Sequence, residues 1–196
     1  MSFLTDTDIT YVKGTFEIYY FRGDGESEAT AYQIGKASQL AGLAGFVNAT
    51  ATYSEYGNRF YILTDNINLN NAAWTPIGTQ YYVDFRGNFD GNGKKVSGLK
   101  IDNYSDYAGL FGQINGGTVR NLGVEGTVSG RNYVGGVAGW VQNGGSITNC
   151  YSAVTVSGTG RDVGGIAGSA HTTTFTNCYA TGDVSGIRAV GGVVGY

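Results

Sequence analysis

Proline is almost missing from this chain: Pro76 is the one proline in 196 residues. With no Gly-X-Y period among the 34 glycines, a collagen helix is excluded. Histidine is as scarce, with His171 alone, and cysteine is limited to Cys150 and Cys178. Two thiols and one imidazole are too few soft or nitrogen donors for a metal site, and no cofactor is expected. Charged residues make up 14% of the chain, and the net charge of −3 gives no electrostatic reason to expect nucleic acid as a partner. A run of about 18 apolar residues is also lacking, so no membrane insertion is expected of this chain. The opening MSFLTDTDITYVKG has neither the basic n-region nor the apolar h-region of a signal peptide. Because the sequence ends at Tyr196 inside a repeat, it reads as a piece of a longer protein. Any export signal or anchor, and further domains of the same parent chain, are then expected outside it.

Glycine is far above its usual ~7%. Aromatics are plentiful, with 15 Tyr, 9 Phe and 2 Trp, which argues against disorder. Hydrophobic residues, at 41%, suffice for a real core. The glycines are ordered into a repeat. Segments 107–112 (YAGLFG), 133–139 (YVGGVAG), 162–168 (DVGGIAG) and 189–195 (AVGGVVG) read alike. A second phrase begins at Asn121 (NLGVEGTVSG), Asn149 (NCYSAVTVSG) and Asn177 (NCYATGDVSG), at intervals of 28 residues. A unit of this length cannot bury its own hydrophobic face and must stack on its neighbours. Propeller blades need about 40–50 residues each, so the period is too short for a propeller. Short glycine-punctuated strands predict an all-β parallel β-helix with coils of about 28 residues, each rising one strand spacing of about 4.8 Å. The Gly-Gly pairs mark tight bends or close backbone approach. The stretch from Ile147 to Val156 reads as one strand in which Ile147, Asn149 and Tyr151 share a face.

Upstream, Thr10 to Phe21 predicts one or two strands, and Arg22 to Ser27 predicts a turn. That turn spells Arg22-Gly23-Asp24, a tripeptide short enough to arise by chance. Lys36 to Asn48 is the best helix candidate, with Leu40, Leu43, Ala44 and Val47 on one stripe. Gly42 and Gly45 each cost a helix about 1 kcal/mol relative to Ala, so this helix needs packing to persist. It is expected to cap the open end of the stack. Strands are then expected at 60–64, 66–69 and 96–101. Trp74 and Ile77 anchor a loop, and Phe85, Gly87 and Phe89 alternate. Asp90 opens a glycine turn and lacks the further ligands of a calcium loop. The resulting division is 1–30 (N-terminal strands and turn), 31–106 (helix and first coils) and 107–196 (repeats), within one continuous domain.

The phrase Gly109-Leu110-Phe111-Gly112, its variants at 136–139, 165–168 and 192–195, and the Asn-Cys-Tyr of 149–151 and 177–179 resemble the GLUG-motif family. The stretches YQI (32–34), LTDNINL (63–69), WTPIG (74–78) and FRGNFDGNGKKVSGL (85–99) resemble the region that often precedes such repeats. The resemblance implies a right-handed parallel β-helix from a bacterial surface or secreted protein, often adhesin-like. Some relatives carry a metalloprotease domain that cleaves immunoglobulin A, but this sequence has no HExxH. The family supplies no shared catalytic residues.

Parallel β-helices also include polysaccharide-degrading enzymes, which is the alternative reading. Glycoside cleavage needs two carboxylates about 5–10 Å apart. From residue 107 the acids are Glu125, Asp162 and Asp183, at unrelated repeat positions. Asp84 and Asp90 lie upstream, with Arg86 and Lys94 as candidate bases. His171 sits in a polar loop with no patterned nucleophile, so no catalytic residue is assigned and the chain is read as non-enzymatic. The candidate binding residues are Arg131, Arg161 and Arg188, which follow each Val-Ser-Gly and should fall along one edge of the stack. Such an edge suits a host or matrix glycan or protein bearing carboxylates. Tyr151 and Tyr179 align as an aromatic ladder. Cys150 and Cys178 align as free thiols or as a bridge between coils. The reading is an adhesin-type or stalk module at the bacterial cell surface or secreted.

Overall fold

The computed structural model describes residues 21–49, 54–79 and 82–196. The strand expected over Thr10 to Phe21 lies outside these residues except for Phe21 itself. From there the chain winds into a parallel β-helix. One face is a six-stranded sheet of Tyr32–Ile34, Phe60–Leu63, Asn88–Asp90, Thr118–Arg120, Ser146–Thr148 and Thr174–Thr176. A second face carries Ile67–Asn68, Lys95–Ile101, Gly123–Gly130 and Tyr151–Gly158, and in the last coil splits into Tyr179–Ala180 and Val184–Ser185. Two three-stranded sheets close the cross-section. One holds Phe111–Asn115, Ala138–Gln142 and Ala167–His171. The other holds Val134–Gly135, Arg161–Gly164 and Arg188–Gly191.

Parallel register turns the repeat into ladders of like residues. Tyr32, Tyr61, Phe89, Val119, Ile147 and Phe175 face one another from coil to coil. Ile101, Val128, Val156 and Val184 form another column. Most members are fully buried, so every coil hides apolar surface on the coil beside it, at about 25 cal/mol per Å². The helix spans Ala37–Asn48, with Leu40, Leu43, Ala44 and Val47 buried as expected. Gln39 caps its start, its side-chain oxygen accepting from the N–H groups of Gly35 (2.8 Å) and Lys36 (3.1 Å). Its far end is pinned by Asn48, which donates to the Pro76 carbonyl and accepts from the Gly78 N–H, each at 2.9 Å. Phe46 stacks on Tyr56 at 4.4 Å and touches Phe21, joining the helix to the aromatic end of the core. The anchors hold too: Ile77 is fully buried, and the Trp74 indole N–H donates to the Leu110 carbonyl.

Two expected strands are in fact corners. The stretch from Ile147 to Val156 breaks at Asn149, whose φ of 53° is left-handed, so Ile147 and Tyr151 lie on different faces. Asn121 (54°) and Asn177 (51°) turn the same corner. Asparagine tolerates this region better than other side-chain-bearing residues, which is why it recurs there. Likewise Phe85 and Phe89 are not on one strand. Phe85 pairs with Ile114, Phe89 with Val119, and the chain turns between them where Gly87 lies against the Arg59 backbone. The Gly-Gly pairs are sites of close approach. A Cβ on Gly136 would sit 2.7 Å from the Gly165 carbonyl oxygen, and one on Gly165 would sit 2.5 Å from the Ala180 Cβ.

The corners share a hydrogen-bond polarity. Asn177 donates its side-chain amide to Asn149, and Asn149 to Asn121, each at 3.1 Å; Asn121 donates to Asp90 at 3.0 Å. At another corner Asn143 donates to Asn115 (2.9 Å), and Asn115 to Asp84 (2.8 Å). At a third, Asn132 donates to Asp106 (3.0 Å). Each series ends on a carboxylate, a pure acceptor, and each carboxylate is held by an arginine: Arg120 on Asp90, Arg86 on Asp84 and Arg131 on Asp106.

Candidate functional site

The structure brings two of the three edge arginines together. Arg161 and Arg188 are register partners in the sheet at the corner of Asn132, one coil apart. With Asp162, Ala189 and Tyr196 they line a shallow concavity. Among the described residues neither Arg161 nor Arg188 takes part in an ion pair. Arg131 lies on the preceding coil and is committed elsewhere, gripping Asp106 through two bonds of 2.9 and 2.8 Å. The Arg131 guanidinium pulls the Asp106 carboxyl below its ordinary value against a smaller cost of burial, and the Asn132 N–H adds to it. Arg161 also donates to the Tyr133 hydroxyl, and its guanidinium carbon stands 5.1 Å from the Tyr133 ring centre.

That ring belongs to a cluster with no counterpart in the sequence reading. Tyr107, Tyr133 and Trp140 are half-buried and nearly parallel. Their centres are 5.0 Å (Tyr107 to Tyr133), 5.9 Å (Tyr107 to Trp140) and 5.6 Å (Tyr133 to Trp140) apart, with interplanar angles of 6°, 12° and 14°. Tyr107 and Tyr133 occupy a left-handed corner, φ 58° and 57°, the position taken by Asp162 and Ala189 in later coils. Trp140 stands on the strand beside Gln113 and Ser169. Gln113 is fully buried, and both its amide atoms are without a partner among the described residues. The signal for the cluster was present in the aligned phrases: both earlier copies open with tyrosine where the later two do not.

The expected ladder of Tyr151 and Tyr179 is formed, with ring centres 5.6 Å apart and planes within 14°. Tyr151 lies over Gly123, where a Cβ would meet its ring, and donates to Glu125. Glu125 in turn holds Lys95 at 3.1 Å through both oxygens. The two thiols are free; Cys150 is buried and Cys178 half-buried. The Arg22-Gly23-Asp24 stretch is a turn closed on Thr30, with φ of 102° at Gly23 and the Asp24 carboxylate capping the Glu26 N–H at 2.9 Å. The Asp90 turn is of the same kind, its carboxylate accepting from the Asn92 N–H at 2.7 Å. His171 is exposed at a strand end.

Residues 130–157 and 159–185 match the family model of the GLUG motif. Halomucin of Haloquadratum walsbyi (strain DSM 16790 / HBSQ001) is 30% identical over 146 residues, taking in 66% of this chain and 2% of Halomucin. The chain therefore spans only a small part of that relative's length. A crystal structure of a candidate immunoglobulin A1 protease from Bacteroides ovatus superposes with a TM-score of 0.57 at 20% identity, over 89% of this chain and 67% of that one. At that identity the likeness concerns the fold.

Proposed function

The chain is a GLUG-motif repeat protein, and on that premise we propose that it is a non-catalytic binding module of an exported surface protein, presenting its arginine edge to a host or matrix glycan or glycoprotein. One observation carries the reading: Arg161 and Arg188 are neighbours in register without carboxylate partners among the described residues, on a stack whose repeated positions serve packing. Adjacent like charges cost energy unless an anion joins them, and guanidinium suits carboxylate geometry. The carboxylates fit the same picture. Asp84, Asp90, Asp106 and Glu125 each hold a cation and a hydrogen-bond donor that position structure. Export is supported by the relative whose printed name is Halomucin. The test is binding of the isolated chain to immobilised acidic glycans, with the triple variant Arg131→Ala, Arg161→Ala, Arg188→Ala beside it. Affinity that falls with added salt and is lost in the variant is the expected result. Affinity unchanged by the three substitutions would refute the edge.

A further inference from the structure

We propose that Tyr107, Tyr133 and Trp140 form a carbohydrate subsite contiguous with Arg161 and Arg188, and that its ligand is an acidic oligosaccharide whose pyranose rings pack on the aromatics while a carboxylate meets the arginines. This rests on the glycan-binding reading above and names its site and ligand class.

The repeat itself provides the control. The left-handed corner of Tyr107 (φ 58°) and Tyr133 (φ 57°) is kept in the next two coils by Asp162 (φ 62°) and Ala189 (φ 48°). The strand position of Trp140 is filled one coil later by Ser169. Neither corner nor strand therefore requires an aromatic residue. A bulky side chain is poorly suited to a left-handed backbone, and strained positions of this kind gather where a surface has a task. Three large rings are placed where the fold alone is served by Asp, Ala and Ser, and all three keep part of their surface open to solvent.

The chemistry of the patch selects the ligand. Parallel half-exposed rings offer flat apolar surface with polar tips, the surface that the C–H faces of a pyranose cover. Arg161 lies against Tyr133 and leads directly to Arg188, its register partner. Beyond the rings the concavity holds these two cations and one carboxylate, Asp162. Along the stack axis the strip runs from Tyr107 to Arg188, three coil steps of about 4.8 Å each. That length accommodates a short oligosaccharide laid parallel to the axis, sugar rings over the aromatics and an acid group at the arginines. Arg131 is tied to Asp106, so its charge is balanced and is not part of the cationic end of the strip.

The experiment is isothermal titration of the intact chain with two probes, a hexasaccharide of alternating glucuronate and N-acetylglucosamine and a neutral N-acetylglucosamine hexasaccharide. The variants are Tyr133→Asn, which tolerates the left-handed corner, and Trp140→Ser, which copies the following coil. We expect saturable binding of the acidic probe, at least about tenfold weaker binding of the neutral one, and a loss of about tenfold or more in each variant, with melting temperatures close to the parent's. If the parent binds and the ring variants bind equally well while the arginine triple variant does not, the aromatic subsite is overturned and the arginine edge stands. If the ring variants melt far below the parent yet keep its affinity, the rings belong to the fold and the subsite is again overturned. If the parent binds neither probe, the acidic-oligosaccharide subsite is overturned, and the surface-module reading falls with it only if the immobilised-glycan test also fails.

Discussion

The two ends of the stack solve the same packing problem with different side chains. In the first coils the interior is filled by rings: Phe85 and Phe111 are 5.1 Å apart, Phe89 and Phe111 5.4 Å, and Tyr61 and Phe85 6.0 Å, with the helix closing the end. In the following coils the same columns hold Val119, Ile147, Ala138 and Ala167 before a ring returns at Phe175, and Gly-Gly pairs bring neighbouring backbones close. Coil length is nearly constant, so smaller side chains are matched by closer backbones. The aromatic end tolerates no loss of volume and the glycine end tolerates no gain. Phe111→Ala should cost about 3–5 kcal/mol, because it empties a site wedged between Phe85 and Phe89. Urea unfolding checks this; a cost below that of a single methylene would mean the aromatic coils collapse readily onto the gap.

The complementary break is to add volume at the glycine end. Gly136, Gly165 and Gly192 are the same repeat position in successive coils. A Cβ at Gly136 or Gly165 meets neighbouring backbone or side chain at or below 2.7 Å, whereas one at Gly192 meets nothing within 4 Å. Gly136→Ala and Gly165→Ala should each cost about 1–3 kcal/mol and Gly192→Ala almost nothing, read from midpoint shifts at constant slope. Equal costs at all three would show that the pair is kept for chain flexibility and not for close approach.

Acid should also separate the two regions, by a smaller amount. Two of the three amide series end on Asp90 and Asp106 in the third coil, and both of these carboxyls lie below their ordinary values. For Asp106 the leading cause is the Arg131 hydrogen bond. For Asp90, burial raises the value but is outweighed by the Asn121 amide, the Asn92 N–H and Arg120. A carboxyl lowered by folding contributes stability above its unfolded pKa of about 3.9 and loses it as pH falls through the folded value. Melting temperature should thus be flat near neutrality and fall below about pH 4. The double variant Asp90→Asn, Asp106→Asn should start lower and fall less. Hydrogen exchange at acid pH should rise first around 84–106 and later around 146–170. Uniform loss would place the acid-sensitive groups elsewhere.

The contrast also governs what could be read from the sequence. The glycine coils announce themselves, since 28-residue spacing and the Asn, Gly and Val phrases are periodic in text. The aromatic coils share the register but not the letters: Tyr32, Tyr61 and Phe89 share a column with Val119 and Ile147, a likeness visible only once the strands are paired. The helix was legible because Leu40, Leu43, Ala44 and Val47 obey a local period. The corner at Asn149 was not, because alternation across a turn looks like alternation along a strand; the recurrence of asparagine was the available clue. The arginines were found by position, but whether each is free or paired depends on Asp106, a residue outside the repeat phrase. The ring cluster was hidden for a similar reason. Tyr107 and Tyr133 open aligned phrases and Trp140 follows the second of them, but that the three rings meet is visible only in the stack.

The finest comparison sets one repeat position against itself. Cys150 and Cys178 are one coil apart, the first buried and the second half-buried. They influence each other in opposite directions. The neighbouring Cys178 and burial push the Cys150 thiol well above its ordinary value, while the Cys150 thiol draws Cys178 down to about 6. Cys178, half-buried and lowered by its neighbour, should be the thiol that reacts with iodoacetamide in the native chain, with Cys150 modified only after unfolding. Mass spectrometry of the native and denatured chain distinguishes the two sites. Cys178→Ser should cost about 1 kcal/mol, as for a typical substitution at a partly buried position. Faster labelling of Cys150 would mean that the last coil opens before it is attacked, and that the stack at this end is held less firmly than its register implies.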